Sequence, residues 1–102
     1  MPLDITEYVD LARDARGNVV LTGLEPSRVV QQVPVGSTSA QSQPTSDVTR
    51  FVRLHSDTTC RVKFGLPGSS PVANPTCQRM VAGGSEFFGV VPGTVIAVIE
   101  SV

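Results

Sequence analysis

The chain has 102 residues, room for one domain. Charged residues make up 17%, below the ~25% usual in soluble domains, and the net charge is −1. That balance speaks against a nucleic-acid binder held by phosphate contacts, and no apolar run reaches the ~20 residues of a membrane helix.

The opening Met1-Pro2-Leu3-Asp4 has neither a basic stretch nor an apolar one, so no secretory leader is expected and a cytoplasmic setting is. Residues 1–35 read as an N-terminal arm with the first strands. Leu3 and Ile5 alternate as in a strand, whereas Tyr8, Leu11 and Ala12 are spaced for one helical turn. Arg16-Gly17-Asn18 predicts a tight reversal, because Gly and Asn tolerate positive φ. Val19-Val20-Leu21 is a short strand, Gly23 to Pro26 breaks it, and Arg28 to Val35 is another strand.

Residues 36–47 are small and polar, which predicts a loop or linker; a polar edge strand is the other reading. Residues 48–102 carry the core of the expected sandwich. Val48 to His55 alternates, with Val48, Val52 and Leu54 on one face and Thr49, Phe51, Arg53 and His55 on the other. Ser56-Asp57 turns, and Thr58 to Phe64 alternates again, so the two segments predict an antiparallel hairpin. Five Gly and Pro residues between 65 and 76 predict an irregular loop. Short strands follow at Cys77–Val81, Glu86–Val91 and Thr94–Val102, the last two joined through Pro92-Gly93. Six or more short strands with frequent turns make the fold class all-β: a small antiparallel β-sandwich or jelly-roll-like domain with an N-terminal arm, one domain overall.

The final strand is apolar on both faces: Val95, Ala97 and Ile99 on one, Ile96 and Val98 on the other. Such a strand is covered twice. Its second cover is either the N-terminal segment or another subunit. Charge is segregated as well. Asp4, Glu7, Asp10, Asp14 and Glu25 dominate the first 25 residues, and Arg50, Arg53, Arg61, Lys63 and Arg79 dominate 50–79. Either the acidic segment packs over the basic strands within one chain, or one of them meets a neighbour. Arg50, Arg53, Arg61, Lys63, Val95, Ala97 and Ile99 are the candidate partner-binding residues.

The search for chemistry assembles no catalytic set. The single histidine, His55, could pair with Cys60 as base and nucleophile across the hairpin, with Asp57 the one orienting acid, but the bland reading of a surface or interface histidine is favoured. Two cysteines, Cys60 and Cys77, make no zinc motif, and reduced thiols are expected in a cytoplasmic chain. Ala82-Gly83-Gly84-Ser85 lacks the Lys and the context of a phosphate loop and reads as a turn. No enzyme, cofactor or metal is expected.

Three stretches are similar to small virion proteins of tailed bacteriophages. They are Leu3-Asp4-Ile5-Thr6-Glu7-Tyr8 with Leu11 to Asn18; Thr49 to Asp57 with Cys60-Arg61-Val62-Lys63-Phe64-Gly65; and Ala82-Gly83 through Glu86-Phe87-Phe88-Gly89-Val90 and Pro92-Gly93 to Ile96-Ala97-Val98-Ile99. The resemblance implies a capsid decoration or cement protein, or another small head component. It would be a homo-oligomer bound to the major capsid protein in the virion and assembled in the host cytoplasm, without nucleic acid or membrane. It would stabilise the head by bridging capsid subunits. It transfers no active-site residue. The alternatives are a host- or carbohydrate-binding jelly-roll module and a head–tail connector component. The sugar reading wants exposed Trp or Tyr platforms, and the chain has no Trp and one Tyr.

Overall fold

The computed structural model describes residues 2–13, 15–23, 27 and 29–101, with the backbone alone described for 19–23. Among the described residues ten strands run in order: β1 Pro2–Tyr8, β2 Leu11–Arg13, β3 Val19–Gly23, β4 Val29–Pro34, β5 Ala40–Gln41, β6 Phe51–Ser56, β7 Cys60–Gly65, β8 Gln78–Met80, β9 Ser85–Gly89 and β10 Val95–Glu100. They form two four-stranded sheets, ordered β4-β1-β6-β9 and β5-β10-β7-β8, and a separate β2-β3 ribbon. Every strand pairing among the described residues is antiparallel. This is the all-β sandwich that the spacing of strands and turns predicts.

Period-two alternation builds the core. Leu3, Ile5, Val33, Val52 and Leu54 point inward from the first sheet, and Cys60, Val62, Met80, Ile96 and Val98 from the second. Each large aliphatic side chain buried here stabilises the fold by about 1.5–3 kcal/mol relative to exposure.

Several expectations need correction. Residues 2–8 are not an arm. They form β1, paired on one side with β4 and on the other with β6, and Leu3 and Ile5 are fully buried. No helical turn follows; Leu11–Arg13 enters the β2-β3 ribbon, whose reversal places Gly17 at φ 83°. The break read at 23–26 and the strand start at Arg28 fall largely outside the described residues.

Nor do β6 and β7 form a hairpin. They lie in different sheets, so residues 57–59 arch across the sandwich. Ser56 makes the arch: its side chain is fully buried, its hydroxyl donates to the Thr58 carbonyl at 2.7 Å, and its own carbonyl accepts from the Gly83 N–H at 2.7 Å. At the other end of the segment the expected facing fails because the strand begins only at Phe51. Thr49 is buried there and Val48 exposed.

The 36–47 segment is fastened along its length. Ala40–Gln41 pairs with β10, and the carbonyls of Ile96 and Thr94 accept from the N–H groups of Ser42 and Thr45. The Glu100 N–H donates to the Gly36 carbonyl. The segment thereby covers an edge of β10 that would otherwise offer unpaired backbone groups. Glu7 anchors its far end. The Glu7 carboxylate is 1% exposed and accepts from Thr49 Oγ1 at 2.7 Å, the Ser46 N–H at 2.9 Å and Gln31 Nε2 at 2.8 Å. Gln31 in turn accepts from the Gln43 N–H at 3.0 Å.

The doubly apolar last strand is covered by neither expected candidate. The chain's own 66–76 loop lies over the outer face of the second sheet. Pro71 and Ala73 are buried, and the Ala73 N–H donates to Ser39 Oγ at 2.9 Å. Beneath, Val95 is 4% exposed and Ala97 0%. Gly65, opposite Val95, makes the close approach possible, because a Cβ there would stand 2.7 Å from Pro71 Cγ. The loop carries no charge, and its prolines bring no N–H to be satisfied.

Two substitutions test these fastenings. Glu7→Gln keeps the shape but turns an amide donor toward existing donors; urea denaturation is expected to show a loss of about 2–3 kcal/mol. Gly65→Ala forces Pro71 away; a loss of about 1–3 kcal/mol is expected, with faster proteolysis at 66–76 than in the parent.

Candidate functional site

The antiparallel registers place each candidate partner-binding residue. They do not form one strip. Arg50 lies just before β6, its carbonyl accepting from the Val90 N–H at 2.8 Å, and it rims a shallow groove of about 500 Å³ at that end of the sandwich. The exposed Leu66 and Val91 line the same groove. Arg53 points from the outer face of the first sheet. Arg61 and Lys63 point from the outer face of the second, because the 57–59 arch carries the chain from one sheet to the other. Val95 and Ala97, under the 66–76 loop, are out of a partner's reach. Ile99 is half-buried opposite Arg61.

The outer face of the second sheet is the most charged part of this set. Arg61 on β7 stands directly opposite Arg79 on β8, and Lys63 lies two residues along on the same face. Arg61 Nη1 donates to the Cys77 carbonyl at 3.1 Å, while its buried Nε has no partner. Among the described residues none of these three cations has an ion pair. The acids of the first 25 residues are engaged elsewhere. Asp4 accepts from Gln32, Glu7 from Thr49, Ser46 and Gln31, and Asp10 from the Leu11 N–H. Asp14 and Glu25 lie outside the described residues. Packing of the acidic segment over the basic one therefore finds no ion pair among the described residues. Leu66 and Val72, on the covering loop, are exposed.

The Cys60–His55 pairing weighed from the sequence does not form. Cys60 faces the core and His55 the opposite, outer side of the other sheet. His55 instead meets a residue that no sequence pattern singles out. Ser85, directly opposite on β9, places Oγ 2.8 Å from His55 Nδ1. His55 Nε2 is 3.2 Å from Asp57 Oδ1, and Arg53 Nη2 donates to Ser85 Oγ at 3.1 Å. The 30-residue separation of His55 and Ser85 is closed only by the β6–β9 register, which hydrophobic alternation leaves open. Gly83 and Gly84, read as a turn, do turn, with Gly83 at φ 76°.

Tyr8, the one candidate sugar platform, is 6% exposed, its ring 5.9 Å from that of Phe87. Both cysteines are free. Burial pushes the Cys60 thiol above its ordinary value, against an opposing hydrogen bond from Ser56. The folded thiol thus keeps its proton where the unfolded chain loses it, so this group's contribution to stability falls as pH rises past the ordinary thiol value. Iodoacetamide is expected to alkylate half-buried Cys77 in the folded protein and Cys60 only on unfolding, read by peptide mass spectrometry across a urea series. Comparison with protein-family models, with curated proteins and with solved structures finds no match.

Proposed function

We propose that this domain is an accessory structural protein of a phage particle that docks on the capsid shell through the outer face of its second sheet. The observation that carries the reading is the uncompensated trio Arg61, Lys63 and Arg79. Like charges directly opposite on neighbouring strands repel, and an acidic partner surface relieves that repulsion. Exposed Leu66 and Val72, on the loop over the same sheet, supply apolar area for the contact. The strand edge of β9, which has β6 as its one strand neighbour among the described residues, offers a further means of attachment by backbone pairing. Many copies repeated by the symmetry of a shell turn modest single contacts into stable coverage. Burial of Tyr8 removes the aromatic platform that a sugar-binding reading requires.

The test is co-sedimentation of the purified protein with empty capsids, beside light scattering of the protein alone. Binding is expected, weakening as salt rises. Lys63→Glu with Arg79→Glu, both exposed positions, is expected to weaken it at least about tenfold with the fold unchanged by circular dichroism. A chain that stays monomeric and never sediments with a shell would overturn the reading.

A further inference from the structure

The geometry points to Ser85 as an acyl-accepting nucleophile, activated by His55 and oriented by Asp57, on the outer face of the first sheet. The reasoning is independent of the docking face, which lies on the other sheet. Both ends of the hydrogen-bond chain have a forced polarity. A guanidinium only donates, so Ser85 Oγ accepts from Arg53. A carboxylate only accepts, so His55 Nε2 carries the hydrogen that goes to Asp57. In the neutral imidazole Nδ1 is then the bare nitrogen, and the Ser85 hydroxyl has one role left, to donate to it at 2.8 Å.

The sequence of groups is therefore acid, imidazole, hydroxyl and cation, all aligned in one direction. A base within hydrogen-bond reach of a hydroxyl, itself held by a third group, is the arrangement that makes serine a nucleophile. Its ring nitrogens are used in the opposite order to the familiar serine-hydrolase case, which proton transfer does not forbid. The register supports the chain locally. His55 and Ser85 are a cross-strand pair, and Val90 N–H donation to the Arg50 carbonyl fixes the alternation so that they fall at a non-hydrogen-bonded position, where side chains approach most closely. Asp4 stands across from His55 on β1 but is held by Gln32 at 3.0 Å.

The substrate class is an activated ester. Ser85 Oγ attacks the carbonyl carbon, its proton passes to His55 Nδ1, and the bond to the leaving alcohol breaks, releasing it as the anion. The proton then leaves His55 for water, and the acyl group stays on Ser85. The Arg53 guanidinium, within hydrogen-bond reach of Ser85 Oγ, is placed to meet the developing oxyanion. The backbone N–H groups of the preceding turn are already spent, Gly83 on the Ser56 carbonyl and Gly84 on the Val81 carbonyl. Without further donors the acyl-serine accumulates instead of turning over.

The experiment uses p-nitrophenyl acetate and the whole chain. Nitrophenolate is expected to appear in a burst of about one equivalent, with the acetyl group mapped to Ser85 by peptide mass spectrometry. Exposed Ser70, which has no hydrogen bond to a base among the described residues, is the internal reference. Ser85→Ala is expected to abolish the burst, and His55→Gln and Asp57→Asn to slow it by about a hundredfold. Asp57→Glu is expected to restore most of the rate, which distinguishes orientation of the ring from support of the arch. All these side chains lie on the surface, and circular dichroism confirms that each variant is folded. Acetylation of Ser85 no faster than that of Ser70, or an unchanged rate in folded His55→Gln, overturns the proposal.

Discussion

The Glu7 carboxylate is the interaction on which the closed side of the sandwich depends. It sits among the core residues of β1 with no cation paired to it among the described residues, and burial of a bare charge is costly. Three donors offset that cost: the Thr49 hydroxyl, the Ser46 N–H and the Gln31 amide. Each belongs to a different stretch of chain from Glu7. Satisfying one side chain therefore brings β1, β4 and the 42–49 segment into one arrangement. That segment leads directly into β6 and runs beside β10, so the carboxylate couples the two sheets at the place where no strand pairing joins them.

The same economy covers β10. Its edge is taken by residues 36–45 and its outer face by residues 66–76, both of which composition marks as irregular. The sequence shows that β10 needs two covers, since Val95 to Ile99 is apolar without interruption. It does not show what the covers are. Pro71 and Ala73 have no periodicity to betray their burial, and the decisive feature, room for Pro71 over Gly65, is a glycine that reads equally well as the end of a strand. Composition predicts flexibility for 36–47 because it records few apolar side chains. Backbone hydrogen bonds and the Glu7 anchor hold the segment instead, and neither has a compositional signature.

Alternation made the strands and their inward residues legible, from Leu3 and Ile5 to Ile96 and Val98. It carries no information about which sheet a strand joins. Val52-Leu54 and Cys60-Val62 alternate identically whether the chain turns back within a sheet or arches to the other one. Ser56 decides, because its buried hydroxyl closes the turn on Thr58 while its carbonyl draws in the Gly83 N–H. From that one difference follows the dispersal of the basic residues. Arg53 and Arg61 are eight apart and seem neighbours on a hairpin; across an arch they face opposite directions.

The arch thus gives the protein two outer faces with unlike electrostatics. On the first, charge is answered within the chain: Asp57 meets His55, Asp4 meets Gln32, and Arg53 donates to Ser85. On the second, Arg61 faces Arg79 with Lys63 alongside, and a cross-strand pair of like charge costs up to about 1 kcal/mol where salt bridges of the same geometry would gain a similar amount. A cost of this size is tolerable against the burial of ten core side chains, and an external anion would relieve it. A face that is electrostatically finished gains little from a charged partner, whereas the unfinished one gains both attraction and relief of its own repulsion. That asymmetry, and not the count of basic residues, is the physical reason for proposing docking on the second sheet.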